Sequence, residues 1–113
     1  MKDKHVFKSQ MQEWRKRSPL RRWRERTGLD VNSAAFHLGL SFSTYQKWDY
    51  GNGHPMITEV DGKLSATCNV MVPNQKLGGR VVRETKDWDA HVGSLTGVSL
   101  NKFMQWYHQR PTP

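Results

Sequence analysis

The sequence predicts a mainly α fold: two helices meeting at a tight turn, an N-terminal helix-turn-helix domain, then a small antiparallel β element and a C-terminal helical pair. Three observations predict it. Val31, Ala34, Ala35 and Leu38 recur at helical spacing up to Gly39, and Leu40, Tyr45 and Trp48 resume that spacing beyond it. Ile57, Val60, Leu64, Ala66, Cys68, Val70 and Val72 stand among polar residues in near alternation, the mark of strands with one apolar face. Trp88, Val92 and Leu95, then Phe103 and Trp106, return to helical spacing.

Residues 1–17 read as a basic N-terminal arm or helix, because Phe7, Met11 and Trp14 recur at helical spacing with Lys and Arg between them. Ser18-Pro19 marks a helix start: Ser caps the free amides, and Pro at the first helical position has no N–H to satisfy. That helix is expected to run to about Thr27, with Leu20 and Trp23 inward and Arg21, Arg22, Arg24 and Arg26 outward, and to stop at Gly28.

In the unit over 18–56, Asp30 and Ser41 stand where N-caps belong, Gly39 suits the turn, and Ala35 is small where the next helix crosses. Gly51 falls where the second helix ends. Over 57–86, Asp61-Gly62 suits a two-residue hairpin turn, Pro73-Asn74 and Gly78-Gly79 break the chain, and Arg80–Glu84 forms a third short strand. This β element is a candidate dimerisation surface, since a lone hairpin is marginal until its apolar face is covered, by a twin subunit or by the chain's own helices. Residues 87–113 read as a C-terminal helical hairpin with a frayed tail from Arg110.

A chain of 113 residues fits one compact domain and leaves little room for a multi-domain enzyme. The formal net charge is +8, and it is uneven. Met1–Asp30 carries ten basic and four acidic residues, a net of +6, and Val31–Pro113 eight and six, a net of +2. Such an excess attracts polyanions.

Cys68 is the sole cysteine, so no internal disulfide forms and a reducing, cytoplasmic location is expected. Neither a signal core nor a membrane-spanning run is expected. His5, His37, His54, His91 and His108 lack metal-ligand spacing, and no metal, cofactor or small-molecule ligand is inferred. Asp87 and Asp89 are better explained as a helix-opening acidic cluster than as an acid/base pair, and Gly78-Gly79 is too short for a phosphate loop. The chain is not expected to be an enzyme.

The run Leu20–Leu29, followed by Ala35, Leu38-Gly39-Leu40-Ser41, Ser43-Thr44-Tyr45, Lys47-Trp48-Asp49, Gly51 and Pro55, resembles the lambda-repressor/Cro-like helix-turn-helix regulators of bacteria, phages and plasmids. The resemblance covers about Ser18 to Pro55, a third of the chain. It implies a transcriptional regulator binding double-stranded DNA, a repressor of its own or a neighbouring promoter, acting as a homodimer. It further implies that the helix after Ser41 enters the major groove with Phe42, Ser43, Gln46 and Lys47 facing the bases, and that Arg21, Arg22, Ser41, Thr44, Asn52 and His54 meet phosphates.

Lys47 suits guanine, Gln46 adenine, and Phe42 a thymine methyl, although Phe42 has the alternative of folding back onto the core. The sequence departs from the family at Val31, where a phosphate-clamping Gln is common. Two other functions stand beside this one: a nucleic-acid binder of low specificity, and an antitoxin or phage adaptor that acts through protein partners.

A shift of 58 places sets Gly97, Val98, Ser99, Leu100, Phe103 and Trp106 on Gly39, Leu40, Ser41, Phe42, Tyr45 and Trp48. The C-terminal pair is therefore a candidate second helix-turn-helix, with Leu100, Asn101, Lys102 and Gln105 as a possible second reading head. The alternative is a helical hairpin in which Phe103 and Trp106 are core.

Overall fold

The computed structural model describes residues 4–113; residues 1–3, the start of the expected basic arm, lie outside the described residues. Four helices come first: α1 (Lys4–Lys16), α2 (Pro19–Thr27), α3 (Val31–Leu38) and α4 (Phe42–Tyr50). Three strands follow, β1 (Ile57–Val60), β2 (Lys63–Asn74) and β3 (Arg80–Asp87), and then α5 (Ser94–Thr96) and α6 (Leu100–Tyr107). A 3-10 turn, Gln75–Leu77, lies between β2 and β3, and a π-helical turn, Asp89–Gly93, runs directly into α5.

Local chemistry sets the helix starts. Ser18, Asp30, Ser41 and Ser99 each accept an amide three residues on, from Arg21, Ser33, Thr44 and Lys102. Each such cap contributes on the order of 1 kcal/mol. α3 stops at Gly39, whose φ of 69° is the left-handed conformation that turns the chain into α4.

The sheet is antiparallel in the order β1-β2-β3. β2 changes partner along its length: Lys63–Ala66 pairs with β1, and Thr67–Asn74 pairs with β3. Alternation turns Ala66, Cys68 and Val70 into the core, where they meet the helices. Trp14, Leu20, Leu38, Tyr45, Trp88 and Phe103 are among the side chains fully removed from water.

The expected architecture is corrected here. The chain is not a mainly α succession of an N-terminal helix-turn-helix domain, a small β element and a C-terminal helical pair; it is helix, sheet and helix interlocked around one core. α1 is no free arm, because its apolar stripe of Met11 and Trp14 is covered from the far end of the chain by Trp106. The β element is not small, since β2 alone runs 12 residues. The C-terminal pair is irregular: an unbroken helical stretch, π-helical over Asp89–Gly93 and α-helical only over α5 at its end, turns at Gly97 into α6, the one full α-helix of the two.

Candidate nucleic-acid interface

α4 is held at both ends and through its middle. At its start, Gly39 O accepts Met71 N–H at 2.7 Å, and His91 Nε2 lies 2.7 Å from Leu38 O. A Cβ at Gly39 would sit 2.7 Å from Val70 Cγ1, so only glycine permits this close approach to β2. At its end, Gly51 rests against the Trp14 and Trp106 rings, again too closely for a Cβ. Between them Tyr45, Trp48 and Asp49 are buried.

Asp49 is a buried carboxylate with three donors. Arg24 reaches it through Nε, at 2.8 Å to Oδ2, and through Nη2, at 3.4 Å to Oδ1; the Tyr45 hydroxyl donates to Oδ2 at 2.7 Å. The hydrogen bond to Asp49 holds the Arg24 guanidinium above its usual pKa. Burial, and then the neighbouring carboxylate, push the Tyr45 phenol far above the ordinary tyrosine value. A paired buried charge costs little only while every partner stays in place, which ties α2 to α4 in one geometry.

The same packing leaves one face of α4 in solvent. Ser43, Gln46 and Lys47 are exposed, and Phe42 keeps 45% of its surface, so it does not fold back into the core. The α4 face continues to Tyr50, one turn beyond Gln46. Beside Phe42 stands Phe36 of α3, 89% exposed and not singled out by sequence; with Leu29 and Leu40 the two rings line a shallow apolar groove.

The phosphate candidates divide. Ser41 and Thr44 are engaged with each other, Ser41 Oγ donating to Thr44 Oγ1 at 2.8 Å while capping the helix. Asn52 Oδ1 accepts from Arg15 Nη2 at 3.4 Å, and His54 sets its ring edge-on to Tyr107. Arg21 and Arg22 lie on opposite flanks of α2. Val31 packs against the core.

Arg21 opens onto a cleft of about 670 Å³ between α1, the end of α4 and the C-terminal tail. Lys8, Arg15, Lys16 and Arg110 also line it, with no carboxylate among the lining residues. Arg15 is fixed there by its bond to Tyr50 O at 3.2 Å and by lying 4.1 Å over the Tyr50 ring. On the other flank, Arg17, Arg22, Arg26 and Lys102 line a smaller cleft with Pro19, again without an acid. Sequence reasoning missed Lys8, Arg15 and Lys16 as site residues. The Arg15-Lys16-Arg17 cluster was visible, but not that α1 folds back beside α4.

The candidate second reading head comes together in part: Asn101, Lys102 and Gln105 share the exposed side of α6, and Leu100 does not. Leu100 is 1% exposed, whereas Phe42 at the matching position is open. Asn101 and Gln105 are exposed on α6, and Lys102 belongs to the smaller basic cleft. Among the described residues no group of three metal-ligating side chains is found, and no helix is long and apolar enough to cross a membrane. Comparison with protein-family models, curated proteins and solved structures gives no match.

Proposed function

We propose that this chain is a sequence-specific double-stranded DNA-binding transcriptional regulator, acting in the cytoplasm, that lays α4 in the major groove. One observation carries the proposal: the exposed hydrogen-bonding face of Ser43, Gln46 and Lys47, on a helix fixed at both ends, leads through Tyr50 to a cleft lined by five cations, of which Lys16 and Arg21 are paired with Glu13 and Glu25 at its edge. A major groove admits a helix and displays donors and acceptors that distinguish all four base pairs.

In this reading Lys47 donates to guanine O6 and N7, Gln46 pairs with adenine, and Phe42 packs on a thymine methyl. Arg15, Lys16 and Arg21 take the flanking phosphates, which position the protein without reading sequence. Rigidity matters because base discrimination requires side chains delivered at one angle. The Arg24–Asp49–Tyr45 network and the two glycine contacts supply it.

Selection of bound sequences from a random duplex pool tests the proposal. The expected result is a short enriched motif. Retention of all duplexes alike reduces the protein to a low-specificity binder, and no retention refutes the proposal.

A further inference from the structure

Beyond Val72, which still packs against the core, the β2–β3 hairpin continues as a two-stranded ribbon. Val81 and Leu77 are 58% and 54% exposed, and most of β3 is open to solvent. A ribbon of two strands is marginal by itself, so one kept uncovered invites a partner. Its charge says which. Residues 71–83 hold Lys76, Arg80 and Arg83 and no acidic residue, whereas Glu59 and Asp61 mark the other hairpin. Arg80 and Arg83 pair with Asn74 and Met71 and fall on opposite faces, with Lys76 at the tip, so the ribbon is cationic on both sides.

Its placement relates it to α4. Thr67 and Asn69 share a small cleft with Thr44 and Lys47, and four residues after Thr67, Met71 bonds to Gly39. β2 thus passes from the middle of α4, at Thr67, to the turn before α4, at Met71. It then continues past the start of α4 through the last three strand residues, Val72 to Asn74, and the 3-10 turn Gln75–Leu77, together about 16 Å. The Gly39–Met71 bond ties β2 to the turn between α3 and α4. Gly78 and Gly79 leave the tip without side-chain bulk, and nothing stands within 4 Å of either added Cβ.

We infer that the β2–β3 ribbon is a second DNA-binding element, which grips sugar–phosphate backbone beyond the N-terminal end of α4. This rests on α4 being the major-groove helix. A reach of about 16 Å covers about five nucleotides of one strand at 3.4 Å each. Phosphate fits a ribbon charged on both faces better than a second copy does, because two such ribbons set side by side would oppose like charges.

The test uses the full chain and the variant Lys76→Ala/Arg80→Ala/Arg83→Ala on a duplex carrying the selected motif. Hydroxyl-radical footprints are expected to lose protection over about five base pairs on one side only, and the plot of log K against log salt is expected to flatten by about 2.7, at 0.9 per phosphate. The preferred motif stays. An unchanged footprint and slope overturn the inference while leaving α4 as the reader. A change of oligomeric state in sedimentation assigns the ribbon to a contact between copies and also overturns it. If the parent chain enriches no motif, both readings fall together. A second variant, Leu77→Cys carrying an iron chelate, is expected to cut DNA outside one edge of the motif, since Cys68 is buried and escapes labelling. Absence of cutting there, with DNA bound, counts against the ribbon independently of the alanine variant.

Discussion

Trp14 and Trp106 exchange hydrogen bonds: each indole Nε1 donates to the other residue's main-chain carbonyl at 2.8 Å, and the rings stack 4.1 Å apart, 7° from parallel. The two residues are 92 positions apart, so this reciprocal pair fastens α1 to α6. Gly51, resting on both rings, makes the end of α4 a third party to it.

Trp106→Ala removes the stacking partner and one donor, and leaves Trp14 beside a void. The expected cost is about 3–5 kcal/mol, the range for emptying a buried aromatic site, read as a lower urea midpoint. Trp106→Phe keeps most of the volume and loses the donor, and is expected to cost less. Equal midpoints for parent and alanine variant would show that the pair carries no stability.

Gly39 and Gly28 separate two costs of replacing a left-handed glycine. Both have positive φ, but a Cβ at Gly28 meets nothing within 4 Å, whereas one at Gly39 meets Val70 and the Met71 main chain. Gly28→Ala is expected to cost about 1 kcal/mol of backbone strain. Gly39→Ala adds displacement of β2 and is expected to cost at least twice that, with loss of the 2.7 Å bond to Met71. Thermal melts of the two variants decide it, and an equal cost would mean that β2 yields freely.

Tyr45 gives stability a direction in alkali. Its folded pKa is raised above the ordinary 10.0 by burial and by Asp49, so above pH 10.0 an unfolded chain releases this proton while the folded chain keeps it. The folded state then holds more protons, and stability falls as pH rises. Tyr45→Phe is expected to flatten that decline in urea titrations from pH 9 to 11. Arg24→Ala, which leaves Asp49 buried without its cation, is expected to cost about 3–5 kcal/mol near neutrality.

Base and phosphate contacts separate by how their loss depends on sequence. Lys47→Ala is expected to relax preference at one base position by about 1–3 kcal/mol, and Arg15→Ala to weaken all duplexes alike. Fluorescence anisotropy on the selected motif and its single-base variants measures both. A uniform loss for Lys47→Ala would remove it from the reading face.

Short-range chemistry was legible in the sequence. Ser18-Pro19, Asp30, Ser41 and the turn glycines act within three or four residues, and each stands in the structure where its local chemistry places it. The alternation from Ile57 to Val72 likewise foretold which residues of β2 face inward.

What depends on a distant partner was not legible. Phe7, Met11 and Trp14 carry a helical stripe, but nothing in residues 4–17 says that Trp106 will cover it. Phe42 and Leu100 occupy matching places after a glycine and a capping serine, yet one is open and the other sealed, because tertiary neighbours and not local pattern decide burial. The basic excess was plain from composition. Its division into two clefts on either flank of α2 depended on where α1 and α6 dock.

The tie between Trp14 and Trp106 also orders events at the ribosome. With synthesis at roughly 5–20 residues per second, the 92 positions between them take about 5–18 s to make. Throughout that interval α1 displays Met11 and Trp14 to whatever surrounds the nascent chain, and only the arrival of α6 withdraws them. Truncation shortly before Trp106 therefore leaves exposed apolar surface at the opposite terminus, and such a fragment is expected to recruit chaperones or aggregate even with every residue of α1 to α4 intact.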